Sequence, residues 1–170
     1  QEEMHRFRGY WWSPDSASIA FTRVDESPIE ISQRYEIDAD SFGVYDQRYP
    51  FAGTANADVT VGVISLDTMN ITFADLPGDS EDYICRVNWL LDNQSLAIQT
   101  QSRNQQRLDL LVWNSTTTQI NQLLTEQSTT WLNLHDIFYP LANGEEFIWA
   151  SERSGYQHLY HYNLNGTLLN

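Results

Sequence analysis

The sequence predicts an all-β fold, and three observations support this prediction. Runs of β-branched and aromatic residues, such as Val59 to Leu66, are interrupted at short intervals by Asp, Asn, Gly, Ser and Pro. Hydrophobic residues make up 41% of the 170 residues and aromatic residues 13%, a composition that favours a packed core over disorder. The third observation is an internal repeat, and no long amphipathic helix competes with it.

The repeat consists of an aromatic residue, a polar turn and an apolar strand. It spans Trp12 to Phe21 and Trp89 to Ile98, and a third copy, Tyr139 to Trp149, is aligned with one extra residue in its turn. The spacing of the last two copies is about one propeller blade. We therefore predict a partial β-propeller of about three blades, each a four-stranded antiparallel sheet. The predicted third strands of the blades are Val59 to Leu66, Leu108 to Trp113 and His158 to Leu164.

The blade boundaries follow from the repeat, and the whole of 1–170 is expected to be a fragment of one propeller domain. The first blade is expected over residues 9–76, the second over 83–125, and most of a third over 131–170. The interval between the first two copies is longer than one blade requires. The excess lies at about 26–54, a tract with several Pro and Gly residues, which we predict to be an inserted extended arm.

The charge of the chain is strongly negative. Nine Lys+Arg, all of them arginine, face 23 Asp+Glu, which gives a formal net charge of −14. Such a surface repels nucleic acids and anionic membranes and suits a cationic ligand, although solubility alone also explains it. No apolar stretch reaches the length of a membrane span. The sequence therefore predicts neither a nucleic-acid partner nor a membrane span within this chain.

Several residues that could carry chemistry have a simpler structural explanation. Cys85 lies in a predicted strand and is expected to be a buried thiol. His158 and His161 fall on opposite faces of a strand, so we predict no metal site, and no motif indicates a cofactor. The neighbours His135 and Asp136 are expected at a loop or strand end rather than in a catalytic dyad. No Gly-x-Ser-x-Gly motif occurs, so no catalytic residue is predicted in this chain.

Five segments carry a resemblance to a known family. The segment Gln1 to Met4, followed by Gly9 to Asp15, resembles the double-glutamate segment and the next strand in the propeller of dipeptidyl peptidase IV-like enzymes, of the prolyl oligopeptidase class. The segments Tyr49 to Asn56, Trp131 to Asp136 and Ser151 to Tyr160 are similar to the family in the same order. They cover nearly the full chain and resemble bacterial members most closely.

The resemblance implies roles for four residues and an eight-bladed parent propeller. Glu2 and Glu3 would lie on a short helical insertion, residues 1–8, and hold the N-terminal ammonium of a peptide substrate. Two carboxylates can accept the three N–H donors of that group, and this fixes the cleaved bond two residues away. Taken alone, adjacent glutamates would be a solvated patch. By the same resemblance Trp131 and His135 are weaker candidates for lining a substrate pocket.

The resemblance also implies a parent enzyme, a serine-type dipeptidyl peptidase that releases X-Pro or X-Ala dipeptides. Its triad would lie in a C-terminal α/β-hydrolase domain, so this chain alone is expected to be inactive. The expected partners are a peptide with a free N-terminus, that hydrolase domain and a second copy of the chain. A periplasmic or secreted location follows by analogy. The alternative is a non-catalytic propeller that serves as a scaffold for protein contacts.

Overall fold

The computed structural model describes residues 4–170, and this part of the chain contains thirteen β-strands and no helix. Accordingly, within 4–170 there is no helix with the length and apolar character needed to cross a bilayer. The strands are, in chain order, β1 (Tyr10–Trp12), β2 (Ser18–Asp25), β3 (Ile31–Ile37), β4 (Phe42–Arg48), β5 (Asp58–Ser65), β6 (Ile71–Phe73), β7 (Tyr83–Trp89), β8 (Ser95–Gln101), β9 (Arg107–Asn114), β10 (Ile120–Gln127), β11 (Phe138–Pro140), β12 (Glu146–Ser151) and β13 (His158–Asn163).

The strands form three consecutive sheets and one separate hairpin. The first sheet has the order β1-β2-β5-β6, the second β10-β9-β8-β7, and the third β11-β12-β13. All neighbouring strands are antiparallel, and the hairpin consists of β3 and β4. In the third sheet a single bridge joins Tyr162 to Leu168 beside β13. The predicted all-β class is confirmed, and β5, β9 and β13 are the third strands of their sheets, as predicted.

The first turn of each sheet has the same length, which corrects one sequence-based interpretation. In all three sheets the last residue of the first strand faces a residue seven positions later: Trp12 faces Ile19, Trp89 faces Leu96 and Pro140 faces Phe147. The extra residue predicted in the third turn is therefore absent. The equivalent of Trp12 is Pro140, not its aromatic neighbour Tyr139.

Local hydrogen bonds explain why these turns recur. A side-chain oxygen three residues after the end of each first strand accepts the backbone N–H two residues further on, at 3.0 to 3.1 Å: Asp15, Asp92 and Asn143. The residue between donor and acceptor has a positive φ of 59° to 70° in all three: Ser16, Asn93 and Gly144. Asx turns of this type reverse the chain using one short polar side chain.

The second sheet is covered on both faces. Between the first and second sheets lies one cluster of buried apolar side chains, and between the second and third sheets lies another. Every residue of β8 is buried, and its alternation sends Leu96 and Ile98 into the first cluster and Ala97 into the second. Stacked sheets that bury each other's faces are the unit of a propeller.

A glycine brings the third sheet into backbone contact with the second. Gly166, in the turn after β13, has a φ of +86° and packs against the backbone of Leu123 in β10. A Cβ atom at this position would lie 2.3 Å from the Leu123 carbonyl oxygen. Both the conformation and the contact require a residue without a side chain.

The β3–β4 hairpin stands away from the sheets and lies within the tract 26–54. Every residue of β4 is exposed, and so is Ile37 at the end of β3. Ile37 faces Phe42, the first residue of β4, across the tip of the hairpin. The hairpin is held at its base, where Ile29 is buried and the Arg48 guanidinium donates to the backbone carbonyls of Ser27 and Ile29.

Candidate functional site

Glu2 and Glu3 lie outside the described residues, but the segment that follows them directly is fixed against the second sheet. Met4 is buried, and its sulfur lies 3.5 Å from the Sγ atom of Cys85 in β7. Arg6 is also buried, and its Nε donates to the carbonyl of Ile84 at 3.2 Å. Residues 4–8 contain a turn at their start and no helix. The rest of the predicted helical insertion, residues 1–3, lies outside the described range.

Arg86 joins this segment to a second candidate segment. Its Nη1 donates to the carbonyl of Met4 at 2.6 Å and to that of Cys85 at 2.8 Å, and its Nε donates to the carboxylate of Asp136. The Arg86 side chain is 13% exposed, whereas that of Asp136 is 83% exposed. One guanidinium therefore contacts both the chain after the double glutamate and the chain that carries Trp131 and His135.

A β-bulge accounts for the position of Arg86. The pairing of β7 with β8 shifts register between Ile84 and Arg86. Ile84 and Val87 both pack in the first apolar cluster although they are three residues apart, which a regular strand does not allow. The bulge thus leaves Cys85 and Arg86 between two core residues and directs the guanidinium away from the core.

Residues 131–137 form an irregular segment that connects the second sheet to the third. Its backbone is fixed by the second sheet, because the Leu132 N–H donates to the carbonyl of Gln105 at 2.9 Å and the Gln101 side chain donates to the Leu132 carbonyl at 3.1 Å. The third sheet holds it as well, since the Asn133 amide donates to Glu152 at 2.8 Å. Both neighbouring sheets therefore hold the backbone or side chains of this segment.

Trp131 and His135 lie in this segment but differ in their surroundings. Trp131 is 62% exposed, and its indole N–H donates to Asn133 at 3.3 Å, so most of the ring faces solvent. His135 is half-buried, with its ring edge-on to that of Trp149 at a centroid distance of 4.5 Å. Its Nδ1 accepts the N–H of Ile137 at 3.2 Å. Of the two candidates, Trp131 is the more available to a ligand.

The electrostatics of His135 favour a neutral ring. Burial lowers its pKa, against smaller opposing effects from the backbone of Ala150 and the carboxylates of Glu126 and Asp136. Asp136 pairs with Arg86 rather than with His135. The interpretation of His135 and Asp136 as loop residues is confirmed, since residues 131–137 belong to no strand.

An ionic network around the buried Glu126 lies beside His135. The carboxylate of Glu126 in β10 accepts hydrogen bonds from the indole of Trp149 at 3.1 Å and the hydroxyl of Ser151 at 3.0 Å, and it pairs with Arg153. Arg153 also donates to the Tyr162 hydroxyl at 2.6 Å. These bonds tie the second sheet to the third. Sequence reasoning missed this network and Arg86, although Arg86 stands between apolar residues in β7, which was a visible signal.

The first strands of the three sheets line a groove. Its volume is about 620 Å³, and β1, β7 and β11 contribute mostly aromatic side chains to it. The indole of Trp89 donates to the backbone carbonyl of Trp11 at 3.0 Å and so joins the first two sheets along this side. Arg8, which follows the anchored segment, also lines the groove.

The remaining candidates do not form a reactive site. Burial raises the pKa of the Cys85 thiol to about 12, against the lowering effects of Arg86 and Arg6, so Cys85 is a buried neutral thiol as predicted. Among residues 4–170 no group of three or more His, Cys, Asp or Glu could hold a metal ion. His158 is exposed, and His161 pairs with Glu146 at 2.8 Å.

Comparisons with known proteins agree with this architecture. Residues 1–170 match the family described as dipeptidyl peptidase IV (DPP IV) N-terminal region. Dipeptidyl peptidase 8 of Mus musculus is 30% identical over 94% of this chain and 23% of that protein. Inactive dipeptidyl peptidase 10 of Rattus norvegicus is 28% identical over 78% of this chain and 17% of that protein.

A solved structure shows the same arrangement of strands. Porphyromonas gingivalis dipeptidyl peptidase 4 matches with a TM-score of 0.88 and 25% identity, over 99% of this chain and 24% of that chain. The chain thus spans about a quarter or less of the length of these relatives. The predicted partial propeller is confirmed, and the chain belongs to the dipeptidyl peptidase IV N-terminal region family.

Proposed function

We propose that this chain is the substrate-recognition part of a serine dipeptidyl peptidase that releases N-terminal X-Pro or X-Ala dipeptides. In this proposal Glu2 and Glu3 bind the ammonium group of the substrate. The observation that carries it is the anchoring of the segment directly after them, where Met4 and Arg6 are buried against β7. Two glutamates that directly precede an anchored segment are suited to a fixed role in recognition.

The chemistry of the proposed site is charge-assisted hydrogen bonding. An α-ammonium group offers three donors to two carboxylates, and each such bond contributes about 1.5 to 3 kcal/mol. Holding the amine at a set distance from a nucleophile selects the second peptide bond. We propose that Trp131, whose ring is exposed, lines the substrate pocket. His135, in the same segment, is proposed to contribute to this lining.

The nucleophile is proposed to come from a C-terminal α/β-hydrolase domain of the parent protein. In an α/β-hydrolase the serine lies on a strained turn of the Gly-x-Ser-x-Gly type, and an aspartate and then a histidine follow it in the chain. Reading the parent sequence after Asn170 for these elements tests this part of the proposal.

The test of amine recognition uses the full-length protein and a chromogenic X-Pro substrate. We expect Glu2→Gln and Glu3→Gln to reduce kcat/KM by the equivalent of about 2 to 5 kcal/mol, as for one partner removed from a buried charge pair. Glu145→Gln, which changes an exposed glutamate in the β11–β12 turn, is the matched control. Wild-type rates in both site variants would show that other groups bind the amine.

The pH dependence provides a second readout of the same site. Recognition requires a protonated substrate amine and ionised glutamates. Because an α-amino group titrates near pH 7.7 to 8.0, we expect the apparent affinity for substrate to decline above about that range. A substrate with an acetylated N-terminus lacks the charge and should be a poor substrate at every pH.

A non-catalytic scaffold is the second candidate function. The observation that favours it is the 28% identity to a relative whose name includes the word inactive, inactive dipeptidyl peptidase 10. The two candidates differ in the parent sequence, since the scaffold needs no nucleophile turn. A complete triad after Asn170 favours the peptidase, and its loss there favours the scaffold.

We also propose a second copy of the chain as a partner, bound through the β3–β4 hairpin. Two exposed apolar cross-strand pairs, Ile37 with Phe42 and Tyr35 with Val44, lie on one face of the hairpin, and within residues 4–170 no strand pairs with its outer edges. The hairpin of a second copy, related by a two-fold axis, would cover the apolar side chains and pair with a strand edge, since such an interface is self-complementary.

A further inference from the structure

We propose that Arg86 is a positioning residue that holds the double-glutamate segment and the 131–137 segment in one fixed relation. The proposal rests on the proposed function and identifies how that site is kept in place. Arg86 itself is not assigned to the substrate. It acts through the backbone of Met4 on one side and through Asp136 on the other.

The contacts of Arg86 suit this role because they belong to three different stretches of chain. Its guanidinium donates to the carbonyl of Met4, to that of Cys85 in β7 and to the carboxylate of Asp136. An arginine presents five N–H donors in a rigid planar fork, so it can satisfy such partners at the same time. Its side chain is 13% exposed, which leaves little room for other rotamers.

The link to Glu3 is covalent and short. Met4 follows Glu3 directly, and consecutive Cα atoms are about 3.8 Å apart, so a displaced Met4 displaces Glu3 by a similar amount. Misplacing a binding group by about 1 Å can cost about 10²-fold in rate. The position of the Met4 carbonyl is therefore a sensitive point for the proposed recognition of the amine.

Several residues anchor the segment to β7, so the effect of Arg86 on its position can be separated from the stability of the fold. Without Arg86, Met4 would still be buried against Cys85, and Arg6 would still donate to the Ile84 carbonyl at 3.2 Å. The segment would remain attached to β7 but would be less constrained. We expect the loss of Arg86 to affect substrate binding more than the stability of the fold.

Asp136 completes the arrangement from the other segment. It is highly exposed and pairs with Arg86, so the ion pair connects the irregular 131–137 segment to the edge of β7. Trp131 and His135 lie in the same segment. A substrate that contacts both the double glutamate and Trp131 would depend on the distance that Arg86 sets between them.

The kinetic test compares Arg86→Gln, Arg86→Lys and Arg107→Gln in the full-length protein. Arg107 is the matched control, since it pairs with Asp109 in β9 and contacts neither segment. We expect Arg86→Gln to raise KM for an X-Pro substrate about tenfold or more, with a melting temperature close to that of the control. Arg86→Lys restores the charge without the fork and should recover part of the affinity.

A double-mutant cycle tests whether Arg86 acts through Asp136. We expect Asp136→Asn to raise KM by a smaller factor, and the double variant Arg86→Gln with Asp136→Asn to differ little from Arg86→Gln alone. Independent, multiplicative effects of the two substitutions on KM would contradict the proposal. So would an Arg86→Gln variant whose KM equals that of Arg107→Gln.

Hydrogen exchange gives a readout that needs no activity. In Arg86→Gln the backbone amides of 4–8 and of 131–137 should exchange faster than in Arg107→Gln, while those of β8 and β9 keep their protection. If the wild-type protein released no dipeptides, the proposed function would be wrong and exchange would still decide the role of Arg86. Unchanged exchange in both segments would refute the positioning role.

Discussion

The 131–137 segment and the β3–β4 hairpin both leave the sheets and both carry exposed aromatic residues, but they are held in different ways. The segment has no regular structure, yet Leu132 accepts a hydrogen bond from the Gln101 side chain and donates one to the Gln105 carbonyl, and Asn133 donates to Glu152 beside the third sheet. The hairpin has a complete ladder of seven residue pairs, and at its base the Arg48 side chain donates to the carbonyls of Ser27 and Ile29 in the chain that leads into it.

The difference teaches that regular secondary structure and fixed position are separate properties. An isolated two-stranded hairpin is marginally stable in water, because one ladder does not cover its faces. An irregular segment wedged between two sheets gains its order from neighbours on both sides. The buried ring of Trp149, which packs edge-on to His135, is one such neighbour of the 131–137 segment.

The largest effect is expected from Trp149, which packs against His135 of the 131–137 segment. Trp149→Ala should destabilise the protein by about 3 to 5 kcal/mol, since it leaves a cavity and removes the indole donor of Glu126. Trp131→Ala is the matched control, because this tryptophan is exposed, and it should change stability by less than about 0.5 kcal/mol. Denaturant unfolding measures both, and equal losses would remove the distinction between the two tryptophans.

An intermediate effect is expected from the protonation of His135. Its lowered pKa means that the unfolded chain binds more protons than the folded chain between the folded pKa and about 6.5. Stability from this group is therefore fully present above about pH 6.5 and is lost as the pH falls through the folded pKa. His135→Asn keeps an acceptor for the Ile137 N–H and does not titrate. As the pH falls from about 8 to about 5, the wild type should lose more stability than the variant. A stability difference that stays constant over this range would exclude a buried neutral His135.

The smallest effect on stability is expected at the hairpin tip. Ile37→Ser with Phe42→Ser removes one exposed cross-strand pair and should cost less than about 1 kcal/mol. The same change should weaken self-association, which sedimentation velocity measures over a range of concentrations. Met69→Ser changes an exposed apolar residue outside the hairpin and serves as the control. Self-association that survives the hairpin change would place the contact elsewhere.

Much of the fold could be predicted from the sequence because each sheet repeats the same local chemistry. An Asx side chain followed by a residue of positive φ marks the first turn in all three sheets, and such a signal is local. The length of the third turn was misjudged because Tyr139 is aromatic like Trp12, so residue type pointed to the wrong position. The pairing of β3 with β4 had no such signal, since residues 38–41 lack the Asn-Gly type of hairpin turn.

The candidate site was less predictable, because its organisation depends on distant partners. Arg86 contacts residues 82 and 50 positions away in the sequence, and no spacing rule connects such positions. The bulge that directs Arg86 away from the core is a property of the pairing with β8. The sequence did contain one signal, a charged residue flanked by apolar residues in Tyr83–Trp89. A charged side chain in such a position requires a polar or charged partner.

The contact of Gly166 with β10 has a consequence for how the second and third sheets stack. The carbonyl of Leu123 meets the turn with no side chain between them, so the separation of the two sheets at this point does not depend on side-chain size. Farther along the same interface the buried side chains include bulky groups such as Phe147 and Trp149, where we expect a wider spacing. Such a difference in spacing would incline the third sheet relative to the second, and a repeated inclination is the geometry by which stacked sheets curve around an axis.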